Sequence, residues 1–166
     1  MRARRDRPHR QLAVLLLLVV CHFGLRPWLG DPRPAPDFLL LALLVYAIRA
    51  RPGSAAVAGF LVGLVSDALT PVAFGSGMLA YTGVGYLAAW GKAIFFAENV
   101  VVAAGFFFTG TMLRDLLVLL WGGHLQGEAL LWQLAVWSPL KGLTTAAVGM
   151  VVLMLFRGWL EVRISE

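Results

Sequence analysis

Charge is scarce in this 166-residue chain: Asp, Glu, Lys and Arg make up 14% of it, where soluble domains average about 25%. So little charge excludes an ordinary water-soluble domain. The single cysteine, Cys21, allows no internal disulfide and says nothing about redox compartment. Three histidines, His9, His22 and His124, stand apart without ligand spacing, so neither a metal nor another cofactor is expected. There is no glycine-rich nucleotide loop, no paired His/Glu zinc motif and no G-x-S-x-G elbow. "SPLK" (Ser138–Lys141) matches S-x-x-K, in which a lysine one helical turn away activates a serine, but the supporting S-D-N and K-T-G elements are missing. Asp67 and Asp115 lack the contexts of an intramembrane aspartyl protease. The expectation is a protein without enzymatic activity.

What the chain has in abundance is apolar residues, 60% of the total, with a mean hydropathy of +0.80. Its charges are clustered, leaving long neutral stretches. This pattern reads as an all-α polytopic membrane protein, six transmembrane helices in one bundle. The spans are expected at about 11–29, 36–50, 53–70, 75–96, 99–121 and 130–157, between a basic tail at 1–10 and a short tail at 158–166. The start mimics a signal peptide. However, the apolar stretch continues past Cys21 with no small-x-small cleavage pattern, and bulky Val20 spoils a lipoprotein box, so the first span is expected to stay uncleaved. "GDPRPAPD" (Gly30–Asp37), "RARPG" (Arg49–Gly53) and Thr70-Pro71 break the helices. The second span is short for a bilayer and must tilt little or be shielded by protein.

Six spans put both termini on one side. Ten basic residues fall on that side: Arg2, Arg4, Arg5, Arg7, Arg10, Arg49, Arg51, Lys92, Arg157 and Arg163. Only Arg26 and Arg33 fall opposite. The bias predicts cytoplasmic termini. It also accounts for the net charge of +5 better than a nucleic-acid partner, which is not expected; the lipid bilayer is. Trp28, Trp90, Trp121, Trp132 and Trp159 lie near span ends, as an aromatic belt requires.

Four charges remain within or near the ends of spans: Asp67, Arg114, Asp115 and Lys141. Isolated charges at mid-bilayer cost about 2.5–3.5 kcal/mol on insertion scales, so partners are expected. The set is neutral, and all four fall in the outer half of the spans, so one intramembrane ion cluster is the expectation. Internal ion pairs that fix register, a contact with a partner's helix, and a solute pocket all remain open. Adjacent Arg114 and Asp115 point about 100° apart on a helix, which implies at least two contacts.

Small residues run beside these charges. Ala55, Gly59, Gly63 and Asp67 recur at spacing four, as do Gly110 with Arg114, Thr111 with Asp115, and Lys141 with Thr145 and Gly149. On helices each set lies in one ribbon, which suits close backbone approach inside a membrane. The first ribbon is expected to seat its helix in the bundle and aim Asp67 at a base.

The stretch "PDFLLLALLVYAIRARPGSAAVAGFLVGLVSDALTPVAFGSGMLAYTGVGYLAAW" (Pro36–Trp90) resembles the MreD family of rod shape-determining membrane proteins. The features that carry it are Pro36-Asp37 opening an apolar span, the basic turn "RARPG", "GFLVGLVSDAL" ending in an acid, and the loop leading into "FGSGMLAYTGVGYLAAW". The resemblance implies a scaffold without known chemistry in the bacterial inner (plasma) membrane, within the machinery that builds side-wall peptidoglycan during elongation. It implies association with a MreC-type single-span membrane protein and, directly or indirectly, with MreB, RodA and a class B penicillin-binding protein. It also implies a fold similar to the substrate-binding components of energy-coupling-factor transporters. Pro36, Asp37, Gly59, Gly63, Asp67, Gly75, Tyr81, Gly85 and Tyr86 carry over as helix-packing or partner-contact positions. Arg49 and Arg51 form a cytoplasmic basic face that serves topology and anionic lipid, with a partner as the alternative.

That fold supplies a second reading, a vitamin-binding transporter subunit. Ala13 is followed by Leu17 where A-x-x-x-A would be wanted for docking, and the loop "GGHLQG" (Gly122–Gly127) offers few polar groups. The scaffold is therefore favoured. In that reading the ion cluster locks the bundle, and lipid-facing leucines and small-residue grooves hold a partner's transmembrane helix.

Overall fold

The structure, a computed structural model, describes residues 8–25, 28, 33–69, 74–95, 100–123 and 127–156. Among these are six helices and no strands: α1 (Pro8–Gly24), α2 (Phe38–Ala47), α3 (Pro52–Leu69), α4 (Ser76–Phe95), α5 (Val100–Gly122) and α6 (Glu128–Leu155). The basic residues at 2–7, Arg26, the Thr70-Pro71 stop, the loop at 124–126 and the tail from 157 onward lie outside the described residues.

The short helix α2 is the pillar of the fold. Its sequence, FLLLALLVYA, is apolar all round, the mark of a helix buried on every side. Nine of its ten residues are buried, Tyr46 excepted, and α1, α3, α4, α5 and α6 all pack on it. Ten residues rise only about 15 Å, half of the roughly 30 Å of hydrocarbon in a bilayer. The neighbours solve this by enclosing it. Asp37 starts the helix as its N-cap, accepting from the Leu40 N–H at 3.1 Å.

Along α3, only Ala55, Gly59, Gly63 and Asp67 are buried, so the spacing-four ribbon is its whole inner face. The opposing face belongs to α4. A Cβ on Gly63 would stand 2.5 Å from Met78 Cα, one on Gly85 would stand 2.5 Å from the Ala55 carbonyl oxygen, and one on Gly59 would overlap the Tyr81 carbonyl. Backbone meets backbone here, and the missing side chains are what allow it.

On the other side of α2, α5 packs against α6. Gly149 of α6 lies against Phe107 and Leu41, and Gly110 of α5 against Leu44. The start of α6 is interrupted by five residues of π-helix, Gln133–Trp137. Pro139 follows two residues later, with no N–H to donate and a ring that crowds the carbonyl four residues back. A widened turn before it relieves both problems.

Among the described residues, three helices are long and apolar enough to cross a membrane: Pro52–Leu69, Val101–Gly122 and Glu128–Leu155. Ala13–Gly24 and Phe38–Ala47 are apolar but shorter.

Candidate functional site

The charged side chains of α5 and α6 converge with the start of α2. Asp115 accepts from Arg114 Nη1 at 2.7 Å and from Lys141 Nζ at 3.0 Å, both at Oδ1. The second carboxylate in reach of both bases is Asp37, whose Oδ2 lies 3.8 Å from Arg114 Nε and 3.9 Å from Lys141 Nζ. Tyr81 of α4 donates its hydroxyl to the same Asp37 oxygen at 2.9 Å. The Tyr81 ring lies under the Arg114 guanidinium, 5.1 Å from its centroid. Two acids, two bases and a phenol thus join α2, α4, α5 and α6 in one network. Asp37, Asp115, Lys141 and Tyr81 are all buried.

Backbone contacts pin the same place. The Asp37 N–H donates to Thr145 Oγ1 at 3.1 Å, and Thr144 Oγ1 donates to the Pro34 carbonyl at 2.7 Å. Neighbouring threonines of α6 therefore hold the turn that leads into α2, and Arg33 adds a contact over the Trp137 ring at 5.2 Å. Lys141, Thr145 and Gly149 form part of the buried face of α6.

Asp67 lies elsewhere. It was expected to meet a base, yet its carboxylate accepts three backbone N–H groups at the start of α4: Gly75 at 2.9 Å and Met78 at 3.0 Å on Oδ2, and Gly77 at 3.1 Å on Oδ1. The first turn of a helix leaves its N–H groups without intrahelical partners, and a carboxylate there also favours the positive end of the helix dipole. The physical reason for the exchange is geometric. The α3 ribbon faces α4 at backbone distance, so a side chain at its end meets the beginning of α4 rather than α5 or α6. Gly75 serves the same junction, with a φ of 102° that suits glycine.

Adjacent Arg114 and Asp115 make the several contacts expected of them, Arg114 with Asp37 and Tyr81 and Asp115 with Lys141, and they also bond to each other. The arginine is long enough to reach back to its neighbour's carboxylate while its ring-stacked guanidinium stays beside Asp37. Ser138, the serine of S-x-x-K, is fully buried, and its Oγ makes no hydrogen bond among the described residues. Lys141 is engaged by Asp115 instead.

The remaining positions divide between packing and surface. Ala55, Gly59, Gly63 and Gly85 lie in the α3–α4 contact, while Tyr86 is 48% exposed. Pro36 is half-buried ahead of Asp37. Arg49 and Arg51 are exposed in the turn between α2 and α3, where the Arg51 carbonyl accepts from the Ser54 hydroxyl and the Ala55 N–H. Sequence reasoning did not place Asp37 among the charges. The signal was present: an acid directly before an apolar run reads as an N-cap, and the start of the second span lies at the depth of Arg114 and Lys141.

Between α4 and α5, floored by Leu44, lies a cavity of about 110 Å³ that opens to the surface. Val84, Leu87, Phe106, Gly110 and Leu113 line it, with Thr109 its one polar residue. Among the described residues no group of three or more His, Cys, Asp or Glu is arranged to hold a metal.

A family model described as rod shape-determining protein MreD matches residues 9–161 of the chain. No curated protein and no solved structure matches it. The match spans all six helices, from α1 through the ion network to the end of α6, and extends the resemblance of the Pro36–Trp90 stretch to the second half of the protein. The chain belongs to the MreD family, and with it to the membrane proteins that determine rod shape.

Proposed function

We propose that this protein is a non-enzymatic inner-membrane scaffold of the bacterial elongation machinery, which holds a MreC-type single-span partner and so supports side-wall peptidoglycan synthesis. In this reading all six helices cross the membrane with both termini in the cytoplasm, where Arg49 and Arg51 present a basic face. MreB, RodA and a class B penicillin-binding protein are the further members of the assembly. The observation that carries the reading is the contrast between a fixed interior and an apolar exterior. Glycine contacts and the ion network tie the helices together, while Val57, Phe60, Leu61, Leu64 and Val65 of α3 and Leu16, Leu17 and Val20 of α1 point outward. Such a body presents shape rather than chemistry, and a partner's transmembrane helix reads shape. The cavity between α4 and α5 does not itself make a vitamin site, because a solute site needs several placed polar groups and this one has Thr109 alone.

The test is affinity purification of the tagged protein in mild detergent, with identification of what accompanies it. A MreC-type single-span protein in fixed ratio supports the scaffold. A transport ATPase or a bound vitamin in its place overturns it.

A further inference from the structure

Buried polar groups almost always find hydrogen-bond partners, and each exception calls for a cause. Two exceptions lie on α5 and α6, helices that pack against each other. Asp115 Oδ2 and Ser138 Oγ are both buried without a hydrogen bond, although Asp115 Oδ1 accepts two. Ser138 is fully buried and Asp115 4% exposed, so neither is reached from outside the bundle.

Helix geometry brings them into one place. Ser138 and Lys141 are three residues apart, on one face of α6. Side chains on a helix lean toward its N-terminus, so the end of a long lysine covers the turn before its own Cα. For Lys141 that turn is the one holding Ser138. Its ammonium is 3.0 Å from Asp115 Oδ1, which sets the Asp115 carboxylate beside the same turn. The donor inventory is uneven as well. The ammonium has three N–H donors and the guanidinium five; one of the former and one of the latter go to Asp115 Oδ1, and Arg114 Nε is buried without a hydrogen bond. What these groups lack is one small molecule that both donates and accepts.

We propose that an ordered water occupies this point, donating to Asp115 Oδ2, exchanging a hydrogen bond with Ser138 Oγ, and accepting from a spare N–H of Lys141. Three polar partners is the usual complement of a buried water. The water completes the network on the side away from Asp37, and it gives Ser138 a role that needs no nucleophile. The ion network is then a hydrated site rather than a dry lock.

The experiment has two arms. Ser138→Ala is purified in detergent, and its thermal unfolding midpoint is compared with the parent's. A hydroxyl that holds the water makes a net stabilising contribution, so the midpoint falls by about 2–4 °C. A hydroxyl with no partner makes none, and a midpoint that stays or rises overturns the proposal. The second arm is a structure of the unaltered protein at a resolution that shows waters, which decides the matter even if the variant does not fold. A density peak within hydrogen-bond distance of both Asp115 Oδ2 and Ser138 Oγ is the expected result. A direct bond between the two side chains, or no peak there, overturns it.

Discussion

Two buried aspartates in this bundle do different work. Asp67 ends the α3 ribbon and satisfies three backbone N–H groups of α4. Asp37 begins α2 and lies within 4 Å of both bases of the network while accepting from Tyr81. The first joins two helices whose backbones already touch. The second joins elements that stay a side chain's length apart. The difference teaches that a carboxylate in a membrane protein is not by default half of an ion pair. Backbone N–H groups at a helix start also satisfy it, and which it meets depends on how closely the neighbouring helix approaches.

The largest effect is expected on the network side. Asp115→Ala leaves Arg114 and Lys141 sharing Asp37, and stripping one partner from a buried pair costs about 3–5 kcal/mol. Equilibrium unfolding of the purified protein in SDS measures this; a cost below 1 kcal/mol would remove the network from the account. Next comes the glycine side. Gly63→Ala forces a methyl against Met78 Cα, and overpacking costs about 1–3 kcal/mol. Gly53→Ala, where nothing lies within 4 Å, is the control, and the same unfolding assay should show it unchanged or slightly stabilised.

Smaller still is the cap. Asp67→Ala is expected to cost about 0.5–2 kcal/mol, the usual worth of an N-cap side chain, and Asp67→Asn less, because an amide oxygen still accepts from N–H groups. If Asn proved as damaging as Ala, charge rather than capping would be what matters at this position. Least affected is the basic turn. Arg49→Ala with Arg51→Ala should change stability by no more than about 0.5 kcal/mol, as exposed substitutions do. In the proposed function it lowers MreB recruitment in cells without inverting the protein, which fluorescence of tagged MreB and a topology reporter would show together.

Much of this arrangement was legible in the residues. Spacing-four small residues marked the inner face of α3, because only residues without side-chain bulk can occupy a backbone contact. Lys141, Thr145 and Gly149 at spacing four marked the inner face of α6, there because a polar ribbon avoids lipid and a glycine leaves room for the side chains of Phe107 and Leu41. Depth along the spans brought Arg114, Asp115 and Lys141 to one level. Which neighbour each inner face meets was not legible, since apolar side chains cover most of the remaining circumference and leave little amphipathic signal to order the helices around one another. That is why Asp67 was aimed at a base and Asp37 was not. The shortness of the run at 36–50 raised shielding by protein as one of two ways out, and the structure takes that one; composition could not choose, because a helix apolar on all sides looks the same whether lipid or protein surrounds it.

The central claim is that Asp37 shares a network with Lys141 and Asp67 does not, and a pair of double-mutant cycles tests it most directly. Lys141→Met is combined with Asp37→Asn in one cycle and with Asp67→Asn in the other, each read by equilibrium unfolding. The account predicts a coupling of about 0.5–3 kcal/mol for the first pair and additivity within about 0.5 kcal/mol for the second. Coupling between Asp67 and Lys141, with Asp37 and Lys141 additive, would contradict it.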